Sequence, residues 1–233
     1  MSALASLATS PLLWIVVTLA VFECADVVSR RSNRHPLAHP VLLSVPVIAA
    51  ILFASHTPYR RYAEGTAMLT FLLGPATVAL AVPLWRNWPL VRRSAKPVLC
   101  ALAAGSVTAI VSVVGIAWIL GAPPAILASV APRAATTPVA MAVASGIGGI
   151  PSLTAVAVLI SGIVGAMIVS PLLDRLGITD PRARGFAAGV TAHGLGTARA
   201  FQVSETAGTF AGMAMALNGA MTALLLTLVA LLL

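Results

Sequence analysis

Apolar residues in this chain fall into eight long stretches separated by short polar or basic breaks: Pro11–Val28, His39–Ser55, Thr66–Trp85, Pro97–Leu120, Ala122–Ile150, Pro151–Leu173, Gly185–Gln202 and Thr206–Leu233. A helix needs ~20 consecutive apolar residues to cross a bilayer, and most of these stretches approach or exceed that. The pattern predicts an all-α polytopic membrane protein with seven or eight hydrophobic segments in one transmembrane domain, 1–233.

Not every stretch is a straight helix. Pro46 interrupts the second and Gly74-Pro75 the third. The fifth carries Pro123, Pro124, Pro132 and Pro138 with Arg133 among them, and an interior proline removes a backbone hydrogen bond and clashes with the preceding turn. The seventh is short and holds Gly194 and Gly196. These two, 122–150 and 185–202, are expected to be broken or re-entrant. Between the third and fourth stretches, Trp85–Lys96 sets Trp85 and Trp88 beside Arg86, Arg92, Arg93 and Lys96, the composition of an interfacial segment.

Charge orients these segments. Loops 30–38, 85–96 and 174–184 are rich in arginine, and the positive-inside rule puts such loops in the cytoplasm. For 85–96 and 174–184 to share a side, segment 122–150 must cross an even number of times, which a re-entrant hairpin satisfies. Arg60 and Arg61 in the opposite loop run against the rule. A weak repeat joins Gly74-Pro-Ala-Thr77 to Gly194-Leu-Gly-Thr197, each followed by a long span, which suggests an inverted repeat with halves 1–120 and 121–233. Paired interrupted segments in two halves are a pointer to a transporter site.

Composition narrows the function classes. Of 233 residues, 59% are hydrophobic and 9% charged, with mean hydropathy +1.01. Soluble domains run near 25% charged, so a soluble enzyme, a DNA-binding domain and a disordered chain are excluded. The 14 Lys+Arg against 6 Asp+Glu sit mostly between apolar segments, so they read as topology and lipid-headgroup contacts, with no nucleic-acid partner. Cys24 and Cys100 have neither metal-ligand spacing nor a disulfide framework, and nothing points to a cofactor or a metal. The first segment lacks a positive leader and a cleavage site, so it reads as a retained helix. The expected location is the inner (cytoplasmic) membrane, with several passes.

Two stretches could carry chemistry. In the first, Thr137 before Pro138 resembles an N-cap with proline at the first helical position, opening a half-helix 138–145 that ends at Gly146. The N-terminus of a half-helix at membrane depth offers free N–H donors and the positive end of a dipole, an anion site in principle, and Arg133, Thr136 and Thr137 stand beside it. In the second, Thr191-Ala-His-Gly-Leu-Gly-Thr-Ala-Arg199, the glycines permit a break and Thr197 could cap a new half-helix. His193 and Arg199 are expensive in lipid and should face protein or a wet cavity. Arginine matches a carboxylate as a two-pronged donor, and a histidine could carry a coupled proton. Elsewhere Glu23 and Asp26 are expected to pair with the arginines that follow them, Glu205 to cap the last helix, and Asn218 to make a helix-packing hydrogen bond. No nucleophile–base pair, P-loop or zinc motif is present, so the chain is not expected to be an enzyme.

Four stretches together, Leu73–Leu84, Pro132–Ala142, Gly146–Pro151 and Ala192–Arg199, resemble the LrgB/CidB family, including its YohK-type members, in order and over nearly the whole chain. The resemblance implies one of two activities. Members are described as antiholin-like regulators of murein hydrolase activity and autolysis that work with small LrgA/CidA-type membrane proteins. They are also described as transporters of small carboxylates such as pyruvate, with glycolate or glycerate for a related plastid translocator. It matches Thr136, Thr137 and Pro138 to one family motif and His193, Gly196, Thr197 and Arg199 to the other. Where members often carry an acid before the glycine matching Gly208, this chain has Ala207.

The expectation from residues and resemblance together is a transporter of small monocarboxylates, a homo-oligomer in the lipid bilayer, with Arg133, Thr136, Thr137, His193, Gly196, Thr197 and Arg199 holding the anion. The alternative is the lysis-regulating role with an LrgA/CidA-type partner and no saturable flux.

Overall fold

A computed structural model describes residues 11–32, 35 and 38–232, apart from the side chains of Pro11, Leu73 and Thr77. Residues 1–10, and Arg34 of the first basic loop, lie outside the described residues. The described chain is helical and forms two compact units, Met1–Ala81 and Val82–Leu233.

In the first unit, α1 (Pro11–Arg31) packs against α2 (Pro40–Ala54) and α3 (Tyr59–Gly65). Gly65 is a close-approach glycine: a Cβ there would lie 2.9 Å from the Trp14 ring. The Tyr62 hydroxyl lies 3.0 Å from Thr18 Oγ1. Arg30 pairs with Glu23 at 2.9 Å and Asp26 at 2.7 Å, as expected at the basic end of α1. Neither Pro46 nor Gly74-Pro75 ends a helix. α2 runs through Pro46, and α4 (Ala67–Ala79) runs through Gly74-Pro75. The chain bends instead between α2 and α3, by 118°.

The second unit holds α5 (Ala81–Arg86, which begins at the boundary), α6 (Trp88–Arg93), α7 (Ala95–Ile119), α8 (Pro124–Val130), a 3-10 turn at Ala131–Ala134, α9 (Thr137–Gly146), α10 (Pro151–Arg175), α11 (Pro181–Val203) and α12 (Glu205–Leu232). Segment 122–150 is a hairpin. The chain after α9 returns to the end of α8, where the Ile150 N–H donates to Ser129 Oγ at 2.7 Å and Thr154 Oγ1 to the Ser129 carbonyl at 2.8 Å. A Cβ on Gly149 would meet the Ala128 backbone at 2.9 Å.

α11 is a second hairpin. Its helical run is broken at His193, φ 45° and ψ −124°. A Cβ on Gly196 would fall 2.2 Å from the Ala188 carbonyl oxygen. In a straight helix residues eight apart are about 12 Å apart along the axis, so the limbs 181–192 and 194–203 must fold back along each other. The tip rests on the middle of α10, where a Cβ on Gly165 would meet the Thr191 carbonyl oxygen at 2.9 Å.

The two returns are the segments expected to be broken or re-entrant, and they do not count as crossings. Among the described residues five helices are long and apolar enough to cross a membrane, or six if α2 and α3 count as one bent span. Segments 122–150 and 185–202 are apolar, yet each turns back. The repeat is also revised: Gly74–Thr77 lies within continuous helix, whereas Gly194–Thr197 follows a backbone reversal.

One apolar cluster of Val91, Val98, Leu102, Phe186, Val190, Phe210, Met213 and Ala214 fixes the ends of this unit. It places the basic segment before α7, the start of α11 and the start of α12 at one end. Loops 85–96 and 174–184 therefore share an end, as their charge predicted. The first hairpin enters from the other end, where α7 finishes. At the basic end Asp180 caps α11, accepting from the Arg182 N–H at 2.8 Å. Hydrogen bonds from the Arg182 guanidinium hold its carboxyl below the usual carboxylate range. Ser204, rather than Glu205, caps α12, through a 3.1 Å bond from the Ala207 N–H to its hydroxyl.

Two predictions follow from this geometry. In a background with Cys24→Ser and Cys100→Ser, an impermeant maleimide should label Ala122→Cys and Gly148→Cys from one membrane face and Thr179→Cys and Ser204→Cys from the other; labelling of the two ends of either hairpin from opposite faces would contradict re-entry. A Cβ on Gly189 would sit 2.1 Å from the Ala211 carbonyl oxygen, while Gly115 has nothing within 4 Å. Gly189→Ala should cost ~1–3 kcal/mol through overpacking and Gly115→Ala should be neutral or stabilising, read as unfolding midpoints in detergent.

Candidate functional site

The two hairpin tips come together at mid-height of the long helices. Asn218, near the middle of α12 and fully buried, accepts from the Ser106 hydroxyl of α7 at 2.7 Å. Its amide nitrogen donates to the Ala134 carbonyl in the first tip and, at 3.5 Å, to the Val190 carbonyl just before the second. One side chain thus ties both broken segments to two spans. This is the packing bond expected of Asn218, with more partners than its position suggested.

The first tip runs through the 3-10 turn, passes Ala135 and Thr136 in extended conformation, and opens α9 at Thr137. The N-cap is Thr136 (φ −64°, ψ 149°), one residue before the expected position, and its side chain makes no capping bond. The first-turn N–H groups of α9 thus lack a side-chain acceptor at the tip. Arg133 Nη1 donates to Ser161 Oγ of α10 at 2.8 Å. Among the described residues no carboxylate pairs with Arg133. An arginine at the centre of a spanning segment costs ~2.5–3.5 kcal/mol on insertion scales. One neutral hydroxyl leaves its charge uncompensated.

The second tip presents His193, which is 5% exposed. Its ring lies against the Arg133 backbone and within electrostatic reach of the guanidinium. Among the described residues its Nε2 is a buried nitrogen with no hydrogen-bond partner. The left-handed φ of His193, rather than Gly194 or Gly196, makes the break. Gly196 serves the close approach of the limbs. Thr197 is not a cap: its hydroxyl donates to the His193 carbonyl at 2.7 Å inside the second limb, buried toward Met215.

The seven residues singled out in the sequence therefore separate. Arg133, Thr136 and Thr137 share the first tip and His193 meets Arg133 there. Thr197 packs inward toward α12. Gly196 and Arg199 line a different space, a cavity of about 270 Å³ between α10 and both limbs of α11. Ser161, Ser106 and Arg184 were missed. Ser161 and Ser106 are serines among others in clean spans, and Arg184 read as one more loop arginine.

Comparison with known proteins gives a consistent assignment. The model of the LrgB-like family matches residues 18–232. The chain is 36% identical over 208 residues to the uncharacterized protein YwbG of Bacillus subtilis, covering 89% of this chain and 92% of that one. It is 33% identical over 213 residues to an uncharacterized protein of Haemophilus influenzae, covering 91% and 92%. It is 34% identical over 205 residues to the uncharacterized protein YxaC of Bacillus subtilis, covering 87% and 89%. No solved structure matches the chain.

The backbone at the second tip gives a direct test. A non-glycine residue at positive φ is strained, most of all if β-branched. His193→Gly should keep the unfolding midpoint within a few degrees of the parent, whereas His193→Val should lower stability by ~1–3 kcal/mol. Equal midpoints for the two variants would contradict the reversal at this residue.

Proposed function

We propose, for a chain that belongs to the LrgB-like family, that it is a transporter of small monocarboxylates in the cytoplasmic membrane, binding the anion where the two hairpin tips meet. The observation that carries this reading is the Arg133 guanidinium, held at mid-height by a neutral serine and paired with no carboxylate among the described residues. A carboxylate of glycolate, pyruvate or glycerate would neutralise it, through the two-pronged geometry that suits arginine. The first turn of α9 adds N–H donors and the positive end of its dipole. His193 Nε2 is a further polar group at the same point, with no partner of its own.

The hairpins enter from opposite ends, so a ligand at their tips is separated from each side by one hairpin. Loosening either hairpin against its neighbours would open the site to that side alone. Small residues at the contacts, Gly185 and Gly189 against α12 and Gly165 against the second tip, suit rigid elements that slide or rock. A homo-oligomer belongs to the same proposal; assembly with an LrgA/CidA-type partner belongs to the lysis-regulating alternative.

Proteoliposomes carrying the protein should take up labelled pyruvate or glycolate saturably. Arg133→Gln should slow uptake about 10- to 100-fold, the equivalent of losing a charge-assisted hydrogen bond of ~1.5–3 kcal/mol. Uptake by Arg133→Gln at the parent rate would remove this residue from the site. Flux no faster than in protein-free liposomes, across several monocarboxylates and pH gradients, would favour the lysis-regulating role instead.

A further inference from the structure

His193 carries two costs that its place in the fold does not explain. Its backbone stands at φ 45°, in the left-handed region that glycine enters freely and other residues enter with strain. A glycine would make the same reversal between the limbs of α11, so the turn itself gives no reason for an imidazole. The side chain is 5% exposed, and among the described residues its Nε2 has no hydrogen-bond partner. A buried polar atom left unpaired is unfavourable. Strain and an unpaired atom on one residue, beside a candidate anion site, point to a group that Nε2 receives there.

The surroundings of the ring say what kind of group. Arg133 and His193 dock on consecutive residues of α10. The guanidinium donates to Ser161 Oγ at 2.8 Å, and His193 Nδ1 lies 3.6 Å from the point that a Cβ on Gly162 would occupy. Consecutive helical residues differ in height by about 1.5 Å, so the charge and the ring stand at one level. The ring is also hydrogen-bonded to the Arg133 backbone. Nε2 has no bond, so this one is made by Nδ1. A neutral imidazole that gives its Nδ1–H to a backbone carbonyl presents a bare lone pair at Nε2. Such an atom is completed by a donor. On a small carboxylate seated at Arg133, the donor next to the carboxyl group is a hydroxyl on C2. A 2-oxo group is an acceptor, and a C2 methylene is neither.

We infer that His193 Nε2 accepts the C2 hydroxyl of the bound acid, which makes the mid-height site selective for 2-hydroxy monocarboxylates over their 2-oxo and unsubstituted analogues. The inference rests on the reading of Arg133 as the seat of a carboxylate and adds the group that tells one carboxylate from another. An analogue without the hydroxyl leaves the buried acceptor unpaired, and a site built around a substrate hydroxyl discriminates on that ground.

Lactate, pyruvate and propionate share one carbon skeleton and differ only at C2. Their binding to the purified full chain in detergent is read as the rise of the unfolding midpoint with ligand concentration at matched ionic strength. The better-bound enantiomer of lactate should bind about tenfold more tightly than pyruvate or propionate. His193→Gly, which keeps the backbone reversal, should bring lactate to the level of the other two and leave propionate little changed. Arg133→Gln should weaken all three acids. Pyruvate or propionate binding as tightly as lactate in the parent would overturn the inference, and the Arg133 site would still stand if all three weaken in Arg133→Gln. A lactate preference that persists in His193→Gly would overturn it as well. No binding of any of the three would remove the Arg133 seat and this inference together. A lactate preference that disappears in His193→Gly, without flux in proteoliposomes, would support the inference and count against transport.

Discussion

The hydrocarbon core offers no water, so every backbone group freed by a break inside it must find a partner in the protein. In this chain that requirement falls largely on one carboxamide. Asn218 satisfies a carbonyl of the first broken segment and approaches one of the second, while the Ser106 hydroxyl satisfies its own oxygen. Ser129 and Thr154 do the same where the first hairpin closes on the start of α10. Interhelical hydrogen bonds of this kind are worth ~0.6–2 kcal/mol each in membranes. That is modest in energy, but it fixes the height and register at which the tips meet.

Fixing the tips has an electrostatic consequence. It brings Arg133 to the middle of α10 with a serine as its only side-chain hydrogen-bond partner among the described residues, and sets the His193 ring beside it. Arg199 stands away from this point, and Arg184, near Arg199, is ion-paired with Asp174 at 2.6 Å.

Much of this organisation was legible in the chain. Prolines around Arg133 and the parity of the basic loops dictated a segment that turns back, and the hairpin at 122–150 is the result. The second hairpin was visible only as a short, glycine-containing stretch. Its reversal sits on His193, a residue type with no strong signature for positive φ, while the glycines serve packing that depends on a partner helix. Gly74-Pro75 misled for the opposite reason: proline within a long apolar helix can be accommodated when neighbouring groups adjust. Arg199 was expected beside Arg133 because both stand in breaks. Side-chain direction from a folded-back limb, which no spacing rule captures, sends it to the cavity instead. Ser161 and Ser106 carry no pattern that sets them apart from the other serines of their spans, since a serine there acquires meaning only from what lies across from it.

The central claim is that a carboxylate occupies the point where the tips meet, held by Arg133. It is tested most directly by solid-state NMR dipolar recoupling between ¹³C-carboxyl pyruvate and ¹⁵N-guanidino arginine in liposomes. The account predicts a carbon–nitrogen contact that disappears when Arg133→Lys is added. A contact that persists in Arg133→Lys, or none at saturating pyruvate before that substitution is made, would contradict it.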